Sequence, residues 1–116
     1  MDINIQQIPD ISQYNEYIYT LQLTAEVSIV LIFKQMFRSD EVLLDIYLNE
    51  IADDTKIVSG KILQPDSIIC LPRHDLSFEY QIECVNQDCV EEPLDKNNAY
   101  KFYLYFRKLN DTETDE

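Results

Sequence analysis

The chain has 116 residues, with 22 acidic and 9 basic side chains and a formal net charge of −13 at pH 7. This length suits one domain with one hydrophobic core, and a hydrophobic fraction of 46% is too high for a disordered chain. The sequence contains one glycine, Gly60, so it cannot form the glycine-rich loops that hold phosphates and dinucleotides. The acidic excess also argues against a nucleic-acid-binding surface, because such a surface needs clustered Lys and Arg.

The N-terminal half of the chain predicts strands. Apolar and polar side chains alternate over residues 17–23, as in a strand with one buried and one exposed face. Residues 25–37 are apolar on both faces, and their β-branched members favour a buried strand over a helix. The spacing of the apolar residues within 41–51 fits either a helix or a strand. We favour a strand over 42–48 that turns into a second strand over 56–63, with a helix as the alternative. Gly60 then suits a bulge or a close backbone approach within the second strand.

The C-terminal half continues the same pattern. A short apolar run, 67–71, lies between two proline-containing turns. The clearest alternation covers residues 76–84, and residues 100–106 repeat it after the polar loop 93–98. Residues 110–116 are polar and acidic, and we expect a disordered tail. The sequence therefore predicts an all-β fold, a single sandwich or small barrel of about seven mostly antiparallel strands over residues 1–109.

Three cysteines and the single histidine raise the question of a zinc site. Cys70, His74, Cys84 and Cys89 are soft ligands within a short stretch. Their spacing lacks the tight glycine turn of common zinc folds, and Cys84 also fits the apolar face of its own strand. A disulfide between Cys84 and Cys89 is a further alternative. We expect no metal and no cofactor.

No catalytic arrangement is evident in the sequence. His74, Asp75 and Ser77 contain the residue types of a catalytic triad, but neighbouring strand residues point to opposite faces. The acidic pairs 53–54 and 91–92 lack the ligand spacing of a calcium loop and suit solvated turns. We therefore predict that the protein is not an enzyme.

The tyrosines are the best candidates for a functional surface. Tyr103 and Tyr105 alternate with apolar residues and share one strand face with Lys101 and Arg107. Tyrosine is enriched in protein interfaces because it buries a large area at low entropic cost. We predict that this face is a protein–protein interface, and Tyr47 is a further interface candidate. The alternative is that the tyrosines belong to the core and only their hydroxyls reach solvent.

The N-terminus lacks the basic start and apolar core of a signal peptide. The longest apolar stretch, 27–33, is much shorter than the roughly 20 residues of a membrane-spanning helix. We expect a protein that is made in the cytoplasm and has no membrane partner.

The order of segments resembles a known family. The run LLDIYLN at 43–49 leads through a turn to IVSGKIL at 57–63, and LDKNNAYKFYLYF closes the domain at 94–106. This arrangement resembles the baseplate plug proteins of contractile-tailed bacteriophages, as does the opening, 3–9 followed by 17–23. Where that family commonly has a tryptophan before Asp-Ile-Tyr, this chain has Leu43 and Leu44.

The resemblance implies a non-enzymatic virion protein near the central hub and spike, which closes or lines the tail channel until contraction. It implies hub, spike and tube proteins as partners, with several copies forming a homo-oligomer within the assembly. The acidic charge leaves an alternative of another class, a small inhibitor that imitates DNA and binds a host defence nuclease.

Overall fold

The computed structural model describes residues 3–11, 13, 15–36, 40–65, 67–73, 75–76, 78–86, 94–95 and 97–108. Within this part the chain forms eight strands and two single-turn 3-10 helices. The strands are β1 (Ile3–Gln7), β2 (Glu16–Gln22), β3 (Ser28–Gln35), β4 (Val42–Leu48), β5 (Lys56–Ile62), β6 (Ser67–Cys70), β7 (Tyr80–Asn86) and β8 (Phe102–Lys108). The 3-10 helices cover Asp53–Thr55 and Ala99–Lys101.

The strands form two antiparallel four-stranded sheets that pack as a sandwich. The first sheet has the order β1-β8-β7-β6, and the second has the order β2-β3-β4-β5. The second sheet is therefore a simple meander, whereas the first combines the N-terminal strand with the three C-terminal ones. The predicted all-β fold is confirmed, and β1 is an additional strand. No helix of the described residues is long and apolar enough to cross a membrane.

The core lies between the two sheets. Its central residues come from alternate positions of β3, β4, β7 and β8, as the period-two pattern predicts. These include Ile29, Leu31, Phe33, Leu44, Ile46, Ile82, Cys84, Phe102, Leu104 and Phe106. Every one of them is at most 1% exposed. Hydrophobic burial between the sheets is therefore the main stabilising contribution.

Three predicted segments need correction or refinement. Residues 42–48 of the ambiguous segment 41–51 form strand β4, so the helical alternative is wrong. The strand predicted over 76–84 begins later, at Tyr80, because Phe78 only forms an isolated bridge with Arg73. Tyr100 and Lys101 lie in the 3-10 helix before β8, and Tyr100 is exposed rather than part of an apolar strand face. The predicted tail, 110–116, lies outside the described residues.

Gly60 marks a bulge in β5. The register between β4 and β5 shifts after Leu44, and Gly60 has a φ of +59°. Glycine suits this left-handed conformation because it has no Cβ. Apart from Gly60 and its two chain neighbours, no heavy atom of the described residues lies within 4 Å of the position that a Cβ would take. The predicted bulge is therefore present, and the alternative of a close backbone approach is not.

Candidate protein interface

The outer face of the first sheet carries three of the predicted interface residues. Tyr103, Tyr105 and Arg107 alternate along β8 with residues that are buried in the core. All three side chains therefore point away from the core, and all three are half-buried. Lys101 lies directly before β8, in the 3-10 helix.

One row of side chains crosses all four strands of this sheet. Strand register places Ile5 and Glu83 on either side of Tyr105, and Ile68 beyond Glu83. Residues that lie opposite each other in antiparallel strands share a face, so these four side chains form a continuous outer row. Ile5 is 58% exposed and Ile68 is 46% exposed. The outer row therefore presents apolar surface at both ends, with a tyrosine and a carboxylate between them.

The charges on this face are of both signs. Arg107 Nη2 lies 3.9 Å from Glu83 Oε1, and both side chains are partly exposed. An ion pair of this kind contributes little to stability. Within the described part of the chain, Arg107 Nε is buried and has no hydrogen-bond partner. The face is thus close to neutral on a strongly acidic protein.

Tyr47 is on the opposite side of the sandwich. It lies on the outer face of the second sheet and is 9% exposed, packed with Val30 and Ile32. The ammonium group of Lys56 lies 5.3 Å from the centre of its ring, at cation–π distance. The structure therefore brings Tyr103, Tyr105 and Arg107 together but separates Tyr47 from them.

A buried carboxylate on the second sheet was missed by the sequence analysis. Asp45 is 5% exposed, and its Oδ1 accepts a hydrogen bond from the Gly60 N–H at 2.5 Å. Its Oδ2 lies 2.9 Å from Lys34 Nζ. The signal for it was present, since Asp45 is the one charged residue within the apolar run of β4.

The surroundings of Asp45 hold it ionised. Burial raises the pKa of this carboxyl, but the hydrogen bonds from Lys34 and the Gly60 N–H, with the charges of Lys34 and Lys56, lower it below its ordinary value. The hydrogen bond and charge of Asp45 in turn raise the pKa of Lys34. Because both carboxylate oxygens are bound, the arrangement suits a structural role rather than proton transfer.

A cleft lies where the two sheets meet, between β5 and β6. It has a volume of about 780 Å³ and is lined mainly by apolar side chains, with Arg73 and Asp75 at its rim. Arg73 Nη2 lies 2.6 Å from Asp75 Oδ2, and Nη1 donates to the Ile57 carbonyl at 3.3 Å. Burial raises the pKa of the Cys70 thiol in this cleft to about 11. The thiol is therefore protonated near neutral pH and is a poor nucleophile.

The predicted ligand and catalytic residues are not brought together in the described part of the chain. Cys70 and Cys84 are buried on the inner face, and the interpretation of Cys84 as an apolar strand residue is confirmed. Among the described residues, no three His, Cys, Asp or Glu side chains are placed to hold a metal ion. His74, Ser77 and Cys89 lie outside the described residues.

The two acidic pairs have different outcomes. Asp53 and Asp54 lie exposed in the first 3-10 helix, so the predicted solvated turn is confirmed. The pair 91–92 lies outside the described residues.

Comparisons of the chain with protein-family models, curated proteins and solved structures find no match. The resemblance to baseplate plug proteins therefore stays a prediction from the sequence.

Proposed function

We propose that the protein is a structural, non-enzymatic component of a contractile-tail baseplate that binds neighbouring baseplate proteins through the outer face of its first sheet. The observation that carries the binding role is the outer row, in which two exposed isoleucines flank Tyr105 and Glu83. The baseplate setting rests on the family resemblance of the sequence.

The size of this face favours assembly in many copies over a tight binary complex. The four strands lie about 4.8 Å apart and are four to seven residues long, so they present a face of about 20 Å by 20 Å on average, on the order of 400 Å². A stable interface commonly buries about 800 Å² on each partner. One such face therefore binds weakly, and symmetry in a particle multiplies weak contacts into stable attachment.

One observation favours the alternative function, an acidic inhibitor of a nuclease. The turns β2–β3 and β4–β5 lie at the same end of the second sheet, where Asn49 Oδ1 accepts a hydrogen bond from the Ser28 N–H at 3.0 Å. These turns carry four exposed carboxylates, those of Glu26, Glu50, Asp53 and Asp54. A cluster of this kind could face a basic nucleic-acid-binding surface.

Mass spectrometry of purified phage particles tests the proposed function. We expect the wild-type protein in intact particles, and at least fivefold less of the Ile5→Lys variant, because a lysine would interrupt the outer row. Ile51→Lys is the matched control, since Ile51 is 53% exposed and lies in the β4–β5 turn. Absence of the wild-type protein from intact particles would refute the baseplate role. Binding to a nuclease that weakens steeply with salt would support the alternative instead.

A further inference from the structure

The four edge strands of the sandwich differ in how open they are. Among the described residues, β1 and β6 end the first sheet, and β2 and β5 end the second. An edge strand presents backbone N–H and C=O groups to which a further strand can bind, and proteins usually block such edges. An edge that is left open in a protein that blocks its others is a candidate binding site.

Strand β5 is blocked in three ways. The bulge at Gly60, held by the Asp45 carboxylate, interrupts its regular backbone. Its sequence carries two lysines, Lys56 and Lys61, and charged side chains oppose edge pairing. The guanidinium group of Arg73 also donates to the carbonyl of Ile57.

The two edges of the first sheet are short. Strand β6 has four residues and is followed closely by Pro72. Strand β1 has five residues, and the side-chain amide of Gln6 donates to the carbonyl of Gln7 at 3.0 Å. The amide of Gln7 crosses to the carbonyl of Tyr100 at 2.7 Å.

In the described part of the chain, strand β2 is longer than β1 and β6 and, unlike β5, has no register shift. It has seven residues without glycine or proline, and Glu16 at its first position is its one charged residue. Its register with β3 is unbroken over seven residue pairs, so the strand is regular along its whole length. Ile18 is 55% exposed on the outer face. The β-branched and aromatic residues of this strand suit a further strand beside it.

The core is also incomplete along β2. Tyr19 and Leu21 face inward and pack against the core, yet both are only partly buried. Leu31, directly opposite Tyr19 on β3, is 0% exposed. A strand added to the edge of β2 would cover these side chains as β2 covers those of β3.

We propose that the edge of β2 binds an extended segment of a partner protein that carries basic residues at both ends, by addition of a strand to the second sheet. Exposed carboxylates lie at both ends of β2: Glu16 at its start and Glu26 in the turn beyond its end. Lys34 is opposite Glu16 in register and interacts with its charge, but the ammonium group of Lys34 is paired with Asp45. A basic segment is therefore complementary to both the ends of this edge and the net charge of −13.

A second copy of the chain fits this edge poorly. Antiparallel pairing of two β2 strands would place Glu16 of each copy near Glu26 of the other. Like charges on paired strands are destabilising, and both molecules carry the same large negative charge. The inference rests on the proposed role in binding other proteins, but it concerns a different surface and does not depend on the baseplate setting.

Hydrogen exchange of the full-length, ¹⁵N-labelled protein with synthetic peptides tests this proposal. The probe is a nine-residue peptide of alternating Val and Thr with two lysines at each end. At a peptide concentration of about ten times Kd, we expect alternate amides of β2 to exchange about tenfold more slowly. A peptide with glutamates in place of the lysines, and one with N-methylated central amides, should each slow exchange less than twofold.

Two matched variants separate this site from the outer row. We expect Ile18→Lys to weaken the basic peptide about tenfold by placing a like charge in the extended sheet. Ile5→Lys adds the same charge at a similarly exposed position on β1 and should change binding less than twofold. These peptide-binding results do not depend on whether the protein is found in phage particles.

Several outcomes would overturn the proposal. They are unchanged exchange of β2 at millimolar peptide, equal protection by the acidic peptide, and protection of β1 or β5 in place of β2. Protection of β2 that rises with protein concentration, with dimers in sedimentation, would assign the edge to a second copy and would also overturn it.

Discussion

Removal of the Asp45 carboxylate should destabilise the domain through the β5 bulge. Asp45→Ala eliminates the hydrogen bond to the Gly60 N–H and the ion pair with Lys34. A hydrogen bond to a charged group contributes about 1.5–3 kcal/mol to stability. The Lys34 side chain is 44% exposed, so its ion pair contributes less, about 0.2–1 kcal/mol. The substitution also removes the desolvation cost of the buried carboxylate, which offsets part of this loss. We therefore expect a net loss of about 2 kcal/mol in the free energy of unfolding.

The assay is thermal unfolding followed by circular dichroism. A chain of this length has an unfolding entropy of about 0.24 kcal/mol/K, so a loss of about 2 kcal/mol lowers Tm by about 8 °C. Asp45→Asn is the matched control. Its amide oxygen can still accept the Gly60 hydrogen bond, and we expect about half of the loss. Equal stability of the wild type and both variants, within about 0.5 kcal/mol, would refute the role of Asp45 in holding the bulge.

The ion pair of Asp45 and Lys34 predicts how the free energy of unfolding depends on pH, including the sign. The pKa of Asp45 is lowered from its ordinary value of 3.8, so its contribution is present above about pH 4 and is lost as the pH falls through the lowered pKa. The pKa of Lys34 is raised from 10.5, so its contribution is present below about pH 10.5 and is lost at higher pH. The difference in stability between the wild type and Asp45→Asn should therefore be constant from pH 5 to 9 and shrink outside that range. A difference that grows on acidification would contradict this interpretation.

Three substitutions and one alkylation experiment test the fold at other points. Gly60→Ala should lose about 1–2 kcal/mol in urea unfolding, because its φ of +59° is left-handed; an unchanged midpoint would argue against the bulge. Asn49→Ala should lose about 1–2 kcal/mol in the same assay, because Asn49 has a φ of 68° and accepts the Ser28 N–H; full stability would contradict that contact. Leu104→Ala should lose about 3 kcal/mol by leaving a cavity at a 0% exposed site; a loss below about 1 kcal/mol would place Leu104 outside the core. Alkylation of Cys70 at pH 8, measured by peptide mapping, should be about a hundredfold slower in the native protein than in urea. The reason is that burial raises the thiol pKa from 9.0 to about 11. Equal alkylation rates would show that the thiol is accessible in the native protein.

The sequence was sufficient to predict most strands and their buried faces. Alternation of apolar and polar residues is a local pattern, and it reflects which side of a strand faces the core. The strand predicted at 42–48 agrees with β4 at both ends. The strand predicted at 76–84 has the correct buried face, but β7 runs Tyr80–Asn86 because its ladder begins where Tyr80 pairs with Lys108. Strand ends depend on the partner strand, which the local pattern does not contain.

The candidate interface was predicted in part for the same reason. The alternation in β8 was sufficient to place Tyr103 and Tyr105 on one outward face. It could not show that Ile5 and Ile68, far away in the sequence, complete the same row. It also gave no information on Tyr47, the other tyrosine candidate, which lies on β4 in the other sheet.

The sequence by itself therefore determined the strand-rich class, the inward face of each clear strand and the acidic character of the protein. Tertiary structure alone decided that β1 ends the first sheet against β8, that Asp45 is buried against the Gly60 bulge, and that β2 and β5 form the edges of the second sheet among the described residues. The physical reason is that side-chain alternation depends on neighbouring residues along one strand. Strand order, bulge contacts and open edges depend on pairing between segments that are distant in sequence.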